Sequence, residues 1–177
     1  MRHARVVEFI VEQLGAHGVT HIFGVDGANI EDLFDAAYFR PEITTVLAKH
    51  EFSAATMADA YGRCGPTIGV VAATSGGGCL NLVPGLGESL ASRVPVLALV
   101  GGSCGAFGGM GIVSRLCSAI VMSEEGRLAL SGPEVIETVA GVEEFDSKDR
   151  ALVWRVTGGK HRYLTGDCVG LVEDDAA

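Results

Sequence analysis

Thr67-Ile68-Gly69-Val70-Val71-Ala72-Ala73-Thr74-Ser75-Gly76-Gly77-Gly78 is the stretch on which the fold turns. Its first seven residues form an apolar, β-branched run, the composition of a strand covered on both faces, as strands of parallel sheets are. The run stops at two hydroxyl residues and three glycines, which read as a turn at the strand's carboxyl end.

Outward from this strand, the same unit recurs. His21-Ile22-Phe23-Gly24-Val25 is a short apolar run ending at Asp26-Gly27, Ile43–Leu47 is followed by Lys49-His50-Glu51, and Val94–Val100 runs into Gly101-Gly102. Between these runs the apolar residues take helical spacing: Val6, Val7, Phe9, Ile10 and Leu14, then Ile30, Leu33, Phe34 and Ala37, then Ala54, Ala55, Met57, Ala58 and Tyr61. Asn81–Ala91 reads as a further helix. Alternating strands and helices predict an α/β fold: three layers, a mainly parallel sheet, and helices on both faces. His21–Val25, Ile43–Leu47, Thr67–Ala73 and Val94–Val100 are expected to form one continuous sheet. Ala119–Met122 would extend it, with Leu128–Leu130 beside it or at an edge. Helices are predicted from Ile112 and over Pro133–Val139, the latter with Ser131 as N-cap. Open sheets of this kind bind ligands at the carboxyl ends of their strands.

Composition narrows the function classes. Of 177 residues, 48% are hydrophobic and 20% charged, too apolar for disorder. The formal net charge is −9, with no basic run, so neither nucleic acid nor a membrane surface is an expected partner. Cys64–Gly87 and Val94–Ser114 are uncharged and of membrane-span length. Proline and glycine clusters break both, so they read as strand–loop–helix units of a soluble core. Five cysteines without C-x-x-C spacing suit free thiols in a reducing cytoplasm, and no metal site is expected among them. The basic start is interrupted by Glu8 and Glu12, so no signal peptide is expected.

Three polar groups thus fall at strand ends: Asp26-Gly27, His50-Glu51, and Thr74–Gly78 with Asn81. In their order and spacing they resemble the pyrimidine-binding domain of thiamine diphosphate enzymes of the acetolactate synthase and benzoylformate decarboxylase type. His50-Glu51 precedes Ala54-Ala55-x-Met57-Ala58-Asp59-x-Tyr61-x-Arg63, then come the Thr74–Gly78 turn, Asn81 and Val94-Pro95-Val96-Leu97. The resemblance covers residues 1–101. It implies thiamine diphosphate as cofactor, a 2-oxo acid as substrate, and lyase or synthase chemistry. It also implies that Glu51 is the catalytic group, hydrogen-bonded to a ring nitrogen of the aminopyrimidine so that the ring can deprotonate the thiazolium carbon. Gly27, His50, Thr74, Ser75, Gly76, Gly77 and Asn81 would border the cofactor. His50 can equally be a packing neighbour or a substrate contact. Two residues depart from the family: Asp26 and Gly77 stand where proline is usual. The diphosphate-binding domain is not expected in this chain. Gly166-Asp167-Cys168 is a chance echo of its signature, so magnesium ligands would come from a missing domain or a partner chain.

Residues 103–175 resemble a different family, the carboxyltransferase-like beta subunit of biotin-independent malonate decarboxylase, with a crotonase-type fold. Phe107-Gly108-Gly109-Met110-Gly111-Ile112, Glu125–Glu137, Val142–Ser147 and Gly158-Gly159-Lys160-His161-Arg162 carry the likeness. It implies an acyl thioester substrate and an oxyanion turn at Gly108, Gly109 and Met110; a tight structural turn is the alternative. Trp154 reads as a packing anchor. Lys160-His161-Arg162 reads as a solvated basic patch or a contact for an acidic carrier. The expected organisation is a chimera of residues 1–101 and 102–177, with a homo-oligomer or a partner subunit to complete it. Three functions stay open: a thiamine diphosphate-binding domain inactive alone, an acyl-thioester decarboxylase or carboxyltransferase fragment, and a folded non-catalytic domain.

Overall fold

The computed structural model describes residues 5–100 and 105–173, which divide into two compact units, one up to Val94 and one from Pro95. The seam expected at Gly101-Gly102, and Cys104 with it, lie outside the described residues.

In the first unit the elements alternate: α1 (Val6–Ala16), β1 (His21–Val25), α2 (Glu31–Tyr38), β2 (Thr44–Leu47), α3 (Glu51–Cys64), β3 (Val70–Ala73), α4 (Gly77–Leu80) and α5 (Val83–Ala91). The strands form a parallel sheet in the order β2-β1-β3. Successive residues of a strand face opposite ways, and β1 uses this to feed two cores. Ile22 packs with Val70 and Ala72 of β3 and with Val11, Ala36 and Ala37 of α1 and α2. Phe23 packs with Val46, Val71, and Ala54 and Ala58 of α3. Helices therefore cover both faces of this sheet. Each fully buried aliphatic side chain such as Ile22 or Val11 contributes roughly 1.5–3 kcal/mol.

The second unit contains β4 (Leu97–Val100), β5 (Gly105–Ala106), α6 (Gly109–Arg115), β6 (Ala119–Ser123), β7 (Arg127–Leu128), α7 (Pro133–Ala140), α8 (Arg150–Thr157), α9 (Gly159–Leu164) and β8 (Gly170–Val172). Its strands are also parallel, in the orders β4-β6-β8 and β5-β7. Ala98, Val100, Ile120 and Met122 face a core with Ala106, Leu128, Met110 and Cys168. Arg127 lies over the rings of Phe107 and Trp154, 5.5 and 4.7 Å from their centroids. Trp154 is thus a packing anchor, as its isolation in the sequence suggests. Asp167 bridges Arg115 (2.6 Å) and Arg162 (2.8 Å), so the Gly-Asp-Cys echo is a structural ion-pair hub.

The α/β class holds, with one correction to the architecture. The four expected strands do not make one continuous sheet, because β4 pairs with β6 in the second unit. Its backbone is satisfied there: Leu97 to Val100 align with Ala119 to Met122, the Val96 N–H donates to Ser118 Oγ (3.2 Å), and the Val96 carbonyl accepts from Ser118 (2.8 Å). The expectation that helices cover both faces of the sheet holding Val94–Val100 is also corrected. Leu97 and Leu99 point away from the core and are 59% and 62% exposed. Leu128 lies in the two-stranded β5-β7 sheet rather than at an edge of a larger one. The cap of α7 is Gly132, with no side-chain bond, in place of Ser131.

Helix α3 approaches the lead-in to β3 backbone to backbone, and a Cβ at Gly69 would overlap the Ala58 carbonyl oxygen. Overpacking that no side-chain rotation can relieve costs about 3 kcal/mol. Gly69→Ala is therefore expected to lower the urea midpoint of the first unit, read by amide exchange in β1, while leaving exchange in β6 unchanged.

Candidate functional site

The carboxyl ends of β1, β2 and β3 deliver three turns to the same end of the first sheet. Behind β1, the Gly27 N–H donates to Asp26 Oδ1 (2.8 Å), so Asp26 closes its own turn. Behind β3, the hydroxyls of Ser75 and Thr74 donate to Asn29 Oδ1 at 2.6 and 3.2 Å. The two turns are thereby tied together. A Cβ at Gly27 would come within 2.8 Å of Thr74 Cβ, so this glycine serves the approach of one turn to the other. Asn29 was not foreseen from sequence, although an asparagine two residues after a strand-end glycine is a turn signal.

Behind β2, the chain passes through Lys49 and His50 into α3. The exposed His50 caps that helix, its Nδ1 accepting from the Phe52 N–H at 3.1 Å. This bond makes Nδ1 an acceptor, so the neutral ring carries its proton on Nε2. Glu51, the first residue of α3, is only 8% exposed. Its Oε2 accepts from the Asn81 amide at 3.0 Å. Asn81 caps the short α4 and lies two residues before α5, outside the helix expected to begin with it. The Asn81 hydrogen bond, and then the backbone N–H of Glu51 itself, hold the carboxyl below the usual carboxylate range and outweigh the effect of burial.

On the other side of Glu51, a Cβ at Gly78 would stand 3.0 Å from Oε1. Gly76 has φ +78° and opens the turn in a conformation that suits glycine. Around Gly76 and Gly77 there is open space. The arrangement is a buried, ionised carboxylate beside a turn that borders open space. Chemically, it can accept a hydrogen bond from, or hold a proton on, a basic ring nitrogen brought over that turn. The residues thus fit the pyrimidine end of thiamine diphosphate. Among the described residues, no group of three or more His, Cys, Asp or Glu side chains is placed to hold a metal ion.

In the second unit, Gly108 has φ +58° and precedes α6. The N–H groups suggested for an oxyanion turn are largely engaged: Gly108 donates to the Leu130 carbonyl (2.9 Å) and Met110 to that of Phe107 (3.2 Å). Also in this unit, Phe107, Arg127, Arg150 and Trp154 line an open cleft of about 540 Å³. Among the described residues, no helix is long and apolar enough to cross a membrane.

Comparison with known proteins finds relatives in two families. Residues 4–106 match the family described as "Thiamine pyrophosphate enzyme, N-terminal TPP binding domain". Acetolactate synthase of Bacillus subtilis is 46% identical over 98 residues, 55% of this chain and 17% of that protein. The "Malonyl-S-ACP:biotin-protein carboxyltransferase MADC" of Malonomonas rubra is 53% identical over 87 residues, 49% of this chain and 27% of that protein. A crystal structure of a Pseudomonas malonate decarboxylase hetero-tetramer in complex with malonate superposes with TM-score 0.54 and 34% identity, over 70% of this chain and 49% of that one. The chain thus spans about a quarter or less of the length of these curated relatives.

The lowered pKa of Glu51 has a thermodynamic consequence. Its stabilising contribution is complete above the ordinary value of 4.5 and is lost as pH falls through the lower folded-state value. Urea midpoints measured as pH is lowered below 4.5 should fall more steeply for the parent chain than for Glu51→Gln, which has no carboxyl to protonate.

Proposed function

The chain belongs to the thiamine pyrophosphate enzyme N-terminal domain family, and on that premise we propose that its first unit is a pyrimidine-binding module in which Glu51 engages the cofactor ring. The single observation that carries this reading is the buried Glu51 carboxylate, fixed by Asn81 next to the open Gly76-Gly77 edge. When bound, thiamine diphosphate supplies a nucleophilic carbon and an electron sink for cleavage next to a carbonyl. The protein's part is positional. Glu51 holds a proton at the pyrimidine ring nitrogen, Asn81 keeps the carboxylate ionised and oriented, and the Gly76–Gly78 backbone lets the ring approach. His50 and the Thr74–Ser75–Asn29 cluster keep the helix start and the turn in place. A 2-oxo acid is the substrate class that this chemistry serves. The diphosphate and magnesium would be held by another domain or chain, and turnover is expected only with that part present.

A second reading, an acyl-thioester decarboxylase or carboxyltransferase segment, is favoured by the 53% identity to the Malonomonas carboxyltransferase. Against an oxyanion role stands the engagement of the Gly108 and Met110 N–H groups by protein carbonyls. We assign the turn a structural role, and partner subunits of the kind found in malonate decarboxylase would complete this part of the chain.

Titration calorimetry with thiamine diphosphate and magnesium, beside malonyl thioesters, separates the readings. Any cofactor-ring binding by the parent should accelerate hydrogen–deuterium exchange at the thiazolium carbon, and Glu51→Gln should abolish that acceleration with the fold intact. Equal exchange in both proteins would remove Glu51 from the chemistry. Malonyl thioesters should bind weakly or not at all. Tight, saturable binding lost in Gly109→Val would instead favour the second reading.

A further inference from the structure

Helix α3 meets α5, and Asn81 two residues before it, along one row of side chains on each side, and the rows are in register. Glu51 faces Asn81 at 3.0 Å, and Asp59 Oδ1 accepts from the Ser89 hydroxyl at 2.7 Å. Midway between them, a Cβ at Gly85 would overlap Ala55 Cβ. Residues 51, 55 and 59 are spaced by four, as are 81, 85 and 89, so the same offset relates all three contacts. Ridges of side chains four apart are the surfaces by which helices interlock, and three rungs at one offset make a ladder.

The lower rung is built to hold one register. Asp59 has a side chain only 6% exposed, and its second oxygen takes Arg63 at 2.7 Å, which also reaches Glu88 at 3.5 Å. Arg63 travels with Asp59 on the same helix, but sliding one helix along the other would strip Oδ1 of its Ser89 donor and leave that oxygen dry and unsatisfied. The middle rung removes the spacer: with glycine at 85 the two backbones close up, and any side chain there would push them apart. Neither rung touches the open turn beside Glu51. Both determine where the start of α3 lies relative to the residues just before α5.

We propose that Asp59, Ser89 and Gly85 are positioning residues that set the helix register bringing Asn81 onto the Glu51 carboxylate. The ladder is a property of the chain itself, and its value for catalysis rests on the cofactor reading of Glu51. The motif Ala54-Ala55-x-Met57-Ala58-Asp59-x-Tyr61-x-Arg63 thereby acquires a second use. Ala54 and Ala58 face the sheet, while Ala55 and Asp59 face α5.

The test uses the full chain with ¹³C-labelled glutamate carboxyls, titrated with acid and read by NMR, with Glu51→Gln assigning the signal. In Ser89→Ala the Glu51 titration should move up towards that of an ordinary glutamate, because the Asn81 bond loosens. Gly85→Ala should do the same by wedging the helices. Adding Ala55→Gly to Gly85→Ala removes the colliding methyl and should restore the parent titration. Ala55→Gly alone should lower stability without moving it, which separates register from stability. Should Gly85→Ala fail to fold, the double variant still reports, because restored folding with the parent titration supports the ladder. A folded Ser89→Ala chain whose Glu51 titrates as in the parent overturns the proposal, as does a double variant that folds but keeps the raised titration. No cofactor is added, so failure of the cofactor reading would appear only in the separate thiazolium exchange measurement.

Discussion

An ionised carboxylate in a nearly dry position is the constraint around which the first unit is organised. Burying such a charge costs several kcal/mol unless hydrogen bonds replace its water. Glu51 meets this demand from three directions. Asn81 donates to one oxygen, its own backbone N–H contributes, and its place in the first turn of a fourteen-residue helix sets it at the positive end of the dipole. Each supplier depends on a different part of the fold. The position of Asn81 is set by how α5 lies on α3, and the helix start by the His50 cap behind β2. The neighbouring turn is fixed by the tie between Asn29 and the hydroxyls that follow β3.

Much of this was legible in the sequence. The apolar runs His21–Val25 and Thr67–Ala73, the second of which is a strand from Val70, and the helical spacing between them follow from the alternation of facing in strands and the 3.6-residue period in helices. Both are local properties of the chain. Glu51 stood out because it followed a strand directly. The roles of the polar neighbours were not local and so were not legible. Whether Asp26 faces outward or closes its own turn, and whether His50 caps a helix or meets a substrate, depends on backbone angles at a single residue. Asn29 escaped notice for the same reason, since its partners lie 45 and 46 residues away.

The partner of β4 was illegible for a different reason. Val96–Val100 has a composition that suits either sheet, and strand pairing is decided by backbone hydrogen bonds that every residue can offer. Side-chain chemistry distinguishes only the faces. There the result is uneven, with Ala98 and Val100 against the second core while Leu97 and Leu99 remain open. An apolar run therefore predicts a strand reliably but predicts its burial only once its sheet is known.

Glycine carries the same ambiguity at the level of sites. Gly27, Gly78 and Gly85 are required because protein atoms lie where a side chain would go, whereas Gly76 and Gly77 border open space. In sequence they look alike, and only the structure separates a glycine crowded by protein atoms from one beside open space. Gly108 resembles Gly76 in its positive φ, yet its N–H is already bonded to Leu130 and that of Met110 to Phe107. A turn stabilises an anion only with donors that protein carbonyls have not taken. By that criterion the Gly108 turn is built inward, into the core of its own unit, whereas the first unit sets a charged side chain beside the open space at Gly76 and Gly77. On the proposed reading, the chemistry of the first unit falls to Glu51 and the residues that hold it.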